Sequence, residues 1–214
     1  TALIMSQTGG GCRATNYIGF IRKALKDAGF ANIPVISFNV VGMEKMPGFK
    51  ITPDMVEKLL KVVVYGDLLQ KMLTKNRVYE VNKGETQKLY DEWMQKCKEL
   101  VVHSSLSEFK KSIYDMVNDF EKIELDTSMK KPKVGIVGEV LIKYHPFGNN
   151  FIAEKLEQEG AEVILPDFMG FVKFMATHKI TFNTLIKTDK YKAKIFKLAI
   201  KLIDILEKDE RIAL

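Results

Sequence analysis

The sequence predicts an α/β protein built from parallel sheet units with a helical insertion between them. Three observations carry this. Apolar runs at 3–6 and 33–38 flank a helical pattern, and a second pair at 134–137 and 162–165 flanks another, so each half reads as a β-α-β unit. Such units give parallel strands joined by a right-handed crossover. The stretch between them, 52–122, is nearly all helical periodicity. Nowhere does the chain show the period-2 alternation of a half-exposed antiparallel sheet. The resulting division is a first β-α-β unit at 1–50, a helical region at 51–130, and a second β-α-β unit with C-terminal helices at 131–214.

The elements follow in order. Residues 3–6 form a short buried strand that runs into Gly9, Gly10 and Gly11. A helix over 15–28 places Ile18, Ile21, Leu25 and Ala28 on one face, and Gly29 stops it. Strand 33–38 ends in Asn39, and a loop rich in Gly, Met and Pro covers 40–49. Thr52 and Pro53 are an N-cap and a first helical position, opening a helix that reaches about Lys75. Helices at 85–101 and 107–121 follow, and the polar, proline-containing stretch 126–133 marks a boundary. After strand 134–137 comes a loop through 142–150, then a helix at 151–159 stopped by Gly160, and strand 162–165. The remainder is helical, ending in a long amphipathic helix over 189–207.

Composition narrows the classes. The 214 residues are 46% hydrophobic and 28% charged, as in an ordinary soluble globular protein. The 33 Lys and Arg against 27 Asp and Glu leave a net charge of +6, too diffuse to argue for nucleic acid. The densest basic stretch, 187–201, has the spacing of a solvated helix face. Two cysteines, Cys12 and Cys97, make no disulfide framework and point to a reducing cytoplasm. No segment has the length of a membrane span and no signal peptide pattern is read, so no membrane partner is expected. The chain begins at Thr1, directly in a strand-like run, and reads as a piece of a longer or processed polypeptide.

Ligands of open α/β sheets bind beyond the carboxyl ends of the strands. Three polar clusters fall there, at 7–16, 39–44 and 139–150, and are expected to share one cleft. In the first, three consecutive glycines permit close backbone approach, and Cys12 follows near a helix N-terminus, where a thiolate is favoured. That arrangement suits an iron–sulfur ligand, a reactive thiol or an anion site. A tight turn around a buried thiol serves equally well sterically, but the adjacent Arg13 favours an anionic environment. The loop lacks the Lys-Ser/Thr ending of a P-loop and the spacing of a dinucleotide fingerprint. Glu139, Tyr144, His145, Asn149 and Asn150 offer an acid/base pair and amide donors, with helix capping as the alternative for the two asparagines. Cys97, inside a helix, reads as a core residue, and His103 and His178 as surface residues. Cys12, Cys97 and His103 have no zinc spacing.

The run from Gln7 through Gly9, Gly10, Gly11, Cys12 and Arg13 to Tyr17 resembles a motif of the 2-hydroxyacyl-CoA dehydratases and their activase-related proteins. It is most similar to the C-terminal, dehydratase-like part of the large activase-related proteins. Further blocks agree in order: 34–37, 64–68, 79–85 and 134–139, then Tyr144 and Gly148, Asn149 and Asn150. The resemblance covers most of 2–170. It implies a flavodoxin-like fold in tandem and a [4Fe-4S] cluster held by cysteines at strand ends, which an ATP-driven activator reduces by one electron so that water leaves a 2-hydroxyacyl-CoA. It implies Cys12 as a cluster ligand. On that reading Gly9, Gly10 and Gly11 give the cluster room and Arg13, Glu139 and Asn149 line the cavity, with Glu139 and His145, the acid/base pair the residues offer, as the catalytic groups. The remaining cluster cysteines lie outside this chain, so the chain by itself is expected to carry no cluster and no activity. Implied partners are other domains of the same polypeptide, an acyl-CoA and an electron-transfer protein. Two other readings stand beside this one: a non-catalytic module that docks an electron-transfer partner, and a CoA- or phosphate-binding domain without metal.

Overall fold

The computed structural model describes residues 2–7, 12–38, 44, 50, 52–186 and 190–213. Gly9, Gly10 and Gly11, and all of the 39–44 cluster except Glu44, lie outside the described residues. The chain divides into two compact units, Thr1–Thr52 and Pro53–Leu214.

In the first unit, β1 (Leu3–Ser6) pairs in parallel with β2 (Val35–Phe38), Leu3 opposite Val35 and Ser6 opposite Phe38. A 3-10 turn at Arg13–Thr15 leads into α1 (Tyr17–Asp27). Ile18, 1% exposed, and Val35, 6% exposed, are its buried apolar residues. Gly29, at φ +83°, ends the helix in a conformation that a Cβ would disfavour.

The second unit is built of helices. α2 (Pro53–Arg77), α3 (Glu85–His103) and α4 (Leu106–Glu121) enclose one core of Val64, Leu68, Leu69, Met72, Trp93, Phe109, Ile113, Met116 and Phe120. Tyr65 and Phe109 meet edge-on at 5.0 Å, and the Tyr65 hydroxyl is 2.6 Å from Ser112 Oγ. β3 (Lys133–Gly135) and β4 (Glu162–Ile164) form a parallel pair connected through α5 (Val140–Tyr144) and α6 (Ile152–Gln158). α7 (Phe168–Leu185) and α8 (Lys190–Ala213) close the unit, adding Met169 and Ile203 to the helical core.

This corrects the fold class. Among the described residues, 65% are helix and 8% strand, in two separate two-stranded parallel sheets, and this is not a flavodoxin-like α/β arrangement around a parallel sheet. The physical reason lies in where apolar area is buried. A doubly wound fold needs a central sheet covered on both faces. Here β3 has no fully buried residue and β4 only Val163, whereas ten residues of α2 are buried. The long α2, interrupted in neither direction by its β-branched Val62, Val63 and Val64, supplies the axis that the sheet was expected to supply.

Candidate functional site

Cys12 is exposed and stands in extended backbone as the residue before the 3-10 turn, its carbonyl accepting from Thr15 N at 3.1 Å. It therefore starts a single 3-10 turn, and Asn16 stands at the N-cap of α1. Arg13 is also exposed. Beside them Gln7, 9% exposed, fastens the strand ends: its N–H donates to Phe38 O at 2.9 Å, its Nε2 to Thr15 O at 3.0 Å, and its Oε1 accepts from Ser37 Oγ at 2.7 Å. Gln7 thus ties the strand ends to Thr15, in the 3-10 turn that Cys12 starts. Arg22 forms a two-point pair with Glu44 at 2.7 and 3.1 Å, which holds the Glu44 carboxyl below its ordinary range.

Glu139, His145 and Asn149 lie in the second unit. All three are engaged in closing one loop. Glu139 is the N-cap of α5 and accepts from Ile142 N at 3.1 Å. His145 Nδ1 accepts from Gly148 N at 3.0 Å, which in the neutral ring leaves the proton on Nε2. Asn149 Nδ2 donates to the carbonyls of Ile142 and Lys143 at 3.0 and 3.2 Å, and its Oδ1 accepts from Ile152 N at 3.3 Å. Asn149 thus joins the end of α5 to the start of α6. Asn150 and Phe151 take positive φ, 57° and 55°, and this tight return is what the staple holds. The expected catalytic pair and the cavity-lining amide act here as caps, and α5 occupies the start of what the sequence suggested was a loop. Tyr144 donates to Pro166 O at 2.5 Å and packs edge-on against Phe168 at 5.7 Å. Burial, with the Asp67 and Asp167 charges adding, pushes its phenol up to about 12.

A cluster that sequence reasoning missed sits at the base of α7 and α8. Asp67, 8% exposed, accepts from Phe168 N at 2.7 Å and Met169 N at 2.8 Å, so a carboxylate of α2 caps the N-terminus of α7. Asp167 adds the regular N-cap, accepting from Gly170 N at 2.8 Å. Lys71 bridges Asp167 at 3.2 Å and Glu210 at 2.7 Å, and Lys173 bridges Asp204 and Glu207, both at 2.8 Å. Burial raises the carboxyls of Asp67 and Glu210 above their ordinary values despite these partners. A second buried carboxylate, Glu80, accepts from Gly84 N and Thr86 N, both at 2.8 Å, and caps α3. Every one of these carboxylates is occupied by N–H groups or lysines. Among the described residues no group of three or more His, Cys, Asp or Glu could hold a metal ion.

No family model matches the chain, nor does any curated protein or solved structure. Among the described residues no helix is long and apolar enough to cross a membrane.

Proposed function

We propose that this chain belongs to an iron–sulfur system of the 2-hydroxyacyl-CoA dehydratase and activator type, and that its contribution is one thiolate, from Cys12. The observation that carries this reading is the pairing of an exposed Cys12 with a buried Cys97, whose thiol burial pushes up to about 12. A cluster ligand must be a thiolate that can reach iron, and Cys12 alone qualifies on access. One such thiol does not hold a [4Fe-4S] cluster, so the remaining ligands come from outside this chain. The ordered motif blocks support the association with an ATP-driven electron donor and an acyl-CoA substrate, in a reducing cytoplasm.

The test is anaerobic purification of the full-length gene product with iron and acid-labile sulfide analysis. Cys12→Ser is expected to lose the cluster and Cys97→Ser to keep it. Unchanged iron and sulfide in Cys12→Ser overturns the reading.

One observation favours a second reading, a docking module without its own chemistry. Glu139, His145 and Asn149 are committed to the loop that contains them, which leaves no free acid/base pair there.

A further inference from the structure

α8 has one covered side and one bare apolar side, about a third of a turn apart. One is covered: Ile203, Glu207 and Glu210 are buried, with Glu207 turned to Lys173 of α7 and Glu210 to Lys71 of α2. The other is bare. Ile195, Leu198, Leu202 and Ile205 are 64%, 60%, 53% and 54% exposed. Their spacing is three, four, three, which is the a and d pattern of a coiled-coil seam rather than the broader face of a core helix. Lys194, Lys201 and Lys208 recur every seven residues along one edge of this seam, all exposed, and among the described residues none of them has an ion-pair partner.

Two features say what covers the seam. The a row runs 195, 202, 209, and at its last position α4 already packs: Asp209 accepts from Tyr114 at 3.2 Å and pairs with Lys110 at 3.4 Å. The row that one helix covers at Asp209 continues uncovered through Leu202 and Ile195. The charge is also one-sided. Residues 174–202 contain seven lysines and a single acidic residue. A row of lysines at the flanking position of a seam selects a helix with carboxylates opposite it.

We propose that the Ile195, Leu198, Leu202 and Ile205 seam of α8 is the seat of an acidic amphipathic helix from a partner protein, packed along the line that α4 begins. The partner's apolar residues fill the seam and its Glu or Asp side chains meet Lys194, Lys201 and Lys208.

The experiment uses the whole chain and a fluorescein-labelled synthetic peptide of about four heptads, with Ile and Leu at a and d and Glu at e and g, whose glutamates keep it from pairing with itself. Its counterpart has the same core and Lys at e and g. Anisotropy is expected to show the acidic peptide bound and the lysine peptide at least about tenfold weaker. The triple variant Lys194→Glu, Lys201→Glu, Lys208→Glu should reverse that order, and Leu198→Ser with Leu202→Ser should abolish binding of both. All five positions are exposed, so these changes leave the core alone. The proposal is overturned if the acidic peptide does not bind, if the two peptides bind equally, or if the charge-reversed variant keeps the original preference. It is equally overturned if sedimentation shows a self-dimer that the Leu198→Ser, Leu202→Ser variant disperses, or if vesicles of phosphatidylserine and phosphatidylcholine bind the chain while the peptide does not.

Discussion

After β1, Gln7 turns inward and Cys12 is left outside; after β3, Glu139, His145 and Asn149 are used to close the loop. Gln7 bonds Phe38, Thr15 and Ser37 at the strand ends and Cys12, five residues on, is exposed. Glu139, His145 and Asn149 accept or donate only to the backbone of the loop they belong to. Both segments look alike as sequence, being polar runs after a short apolar strand. The difference teaches that a strand-end position makes a polar residue available for chemistry only if the backbone around it is satisfied by something else. In the first unit Gln7 takes the carbonyls of Thr15 and Phe38, and in the second the candidates themselves hold the backbone of their loop.

The sharpest way to break this contrast is to remove a buried cap of the second unit and the thiol of the first. Asp67→Ala strips two backbone N–H groups of their acceptor at the start of α7. A cost of about 3 kcal/mol in urea unfolding is expected, because unsatisfied buried donors carry their full desolvation penalty. Cys12→Ser, at an exposed position, should stay within about 0.5 kcal/mol. Comparable losses for the two would erase the distinction.

Next in size is thiol reactivity. Under native conditions Cys12 should label about a hundredfold faster than Cys97, which is 5% exposed and opens only with the helical core. Faster labelling of Cys97 would mean the core of α2, α3 and α4 is not the rigid part. The same burial has a pH signature. The folded thiol of Cys97 and phenol of Tyr65 are both pushed up to about 12, from ordinary values of 9.0 and 10.0. A folded pKa raised above the unfolded one gives stability that is complete below the unfolded pKa and is lost as pH rises toward the folded pKa. Stability should therefore fall between about pH 9 and 12, and Cys97→Ala should flatten the lower part of that fall.

Local elements were legible because their signals are local. The four strands lie at or within two residues of the expected positions, and Pro53, Gly29 and Gly160 mark element ends as turn and cap chemistry requires. Their assembly was not legible, because apolar periodicity does not say which face meets which. The strands read as buried, yet Ile4 is 58% exposed and Ile164 45%, while the helical stretch supplies the core. Of the candidate site, Cys12 is exposed. The capping roles of Glu139 and Asn149 were half visible, since a strand-end asparagine before a helix suggests a cap and a glutamate there suggests an acid as readily. The caps by Asp67 and Glu80 carried no helix-start signal of their own. Asp67 reaches across a hundred residues of sequence to α7, and no local rule pairs it with Phe168. By contrast, the capping box that starts α4 is local: Ser105 is followed three residues on by Glu108, and it sets the helix start at Leu106, one residue before the expected 107.

Removing the staple of the second loop should cost less than removing Asp67. Asn149→Ala loses two donated bonds and one accepted bond at a half-buried position, and about 1.5 kcal/mol is expected in thermal or urea unfolding. Asn149→Asp keeps the acceptor for Ile152 N but turns a second oxygen on the carbonyls of Ile142 and Lys143, so it should recover none of the loss. Recovery by Asp would show that capping α6 matters and that joining α5 to α6 does not.

The smallest expected effects belong to the pair first read as catalytic. Glu139→Gln keeps a side-chain oxygen for Ile142 N, and His145→Ala exposes one N–H, that of Gly148, to solvent. Each should change stability by about 0.5 kcal/mol or less, since a solvated cap is easily replaced by water. Under the proposed function, the same two variants in the full-length gene product, assayed anaerobically for loss of water from a 2-hydroxyacyl-CoA, should leave the pH profile of the rate unmoved. A residue that only caps a helix has no proton to give at the reacting centre, whereas a general acid or base leaves its titration in that profile. A profile altered by Glu139→Gln at unchanged stability would return Glu139 to the chemistry. It would also mean that the loop after β3 opens in the assembled protein, freeing the carboxylate that here is held by Ile142.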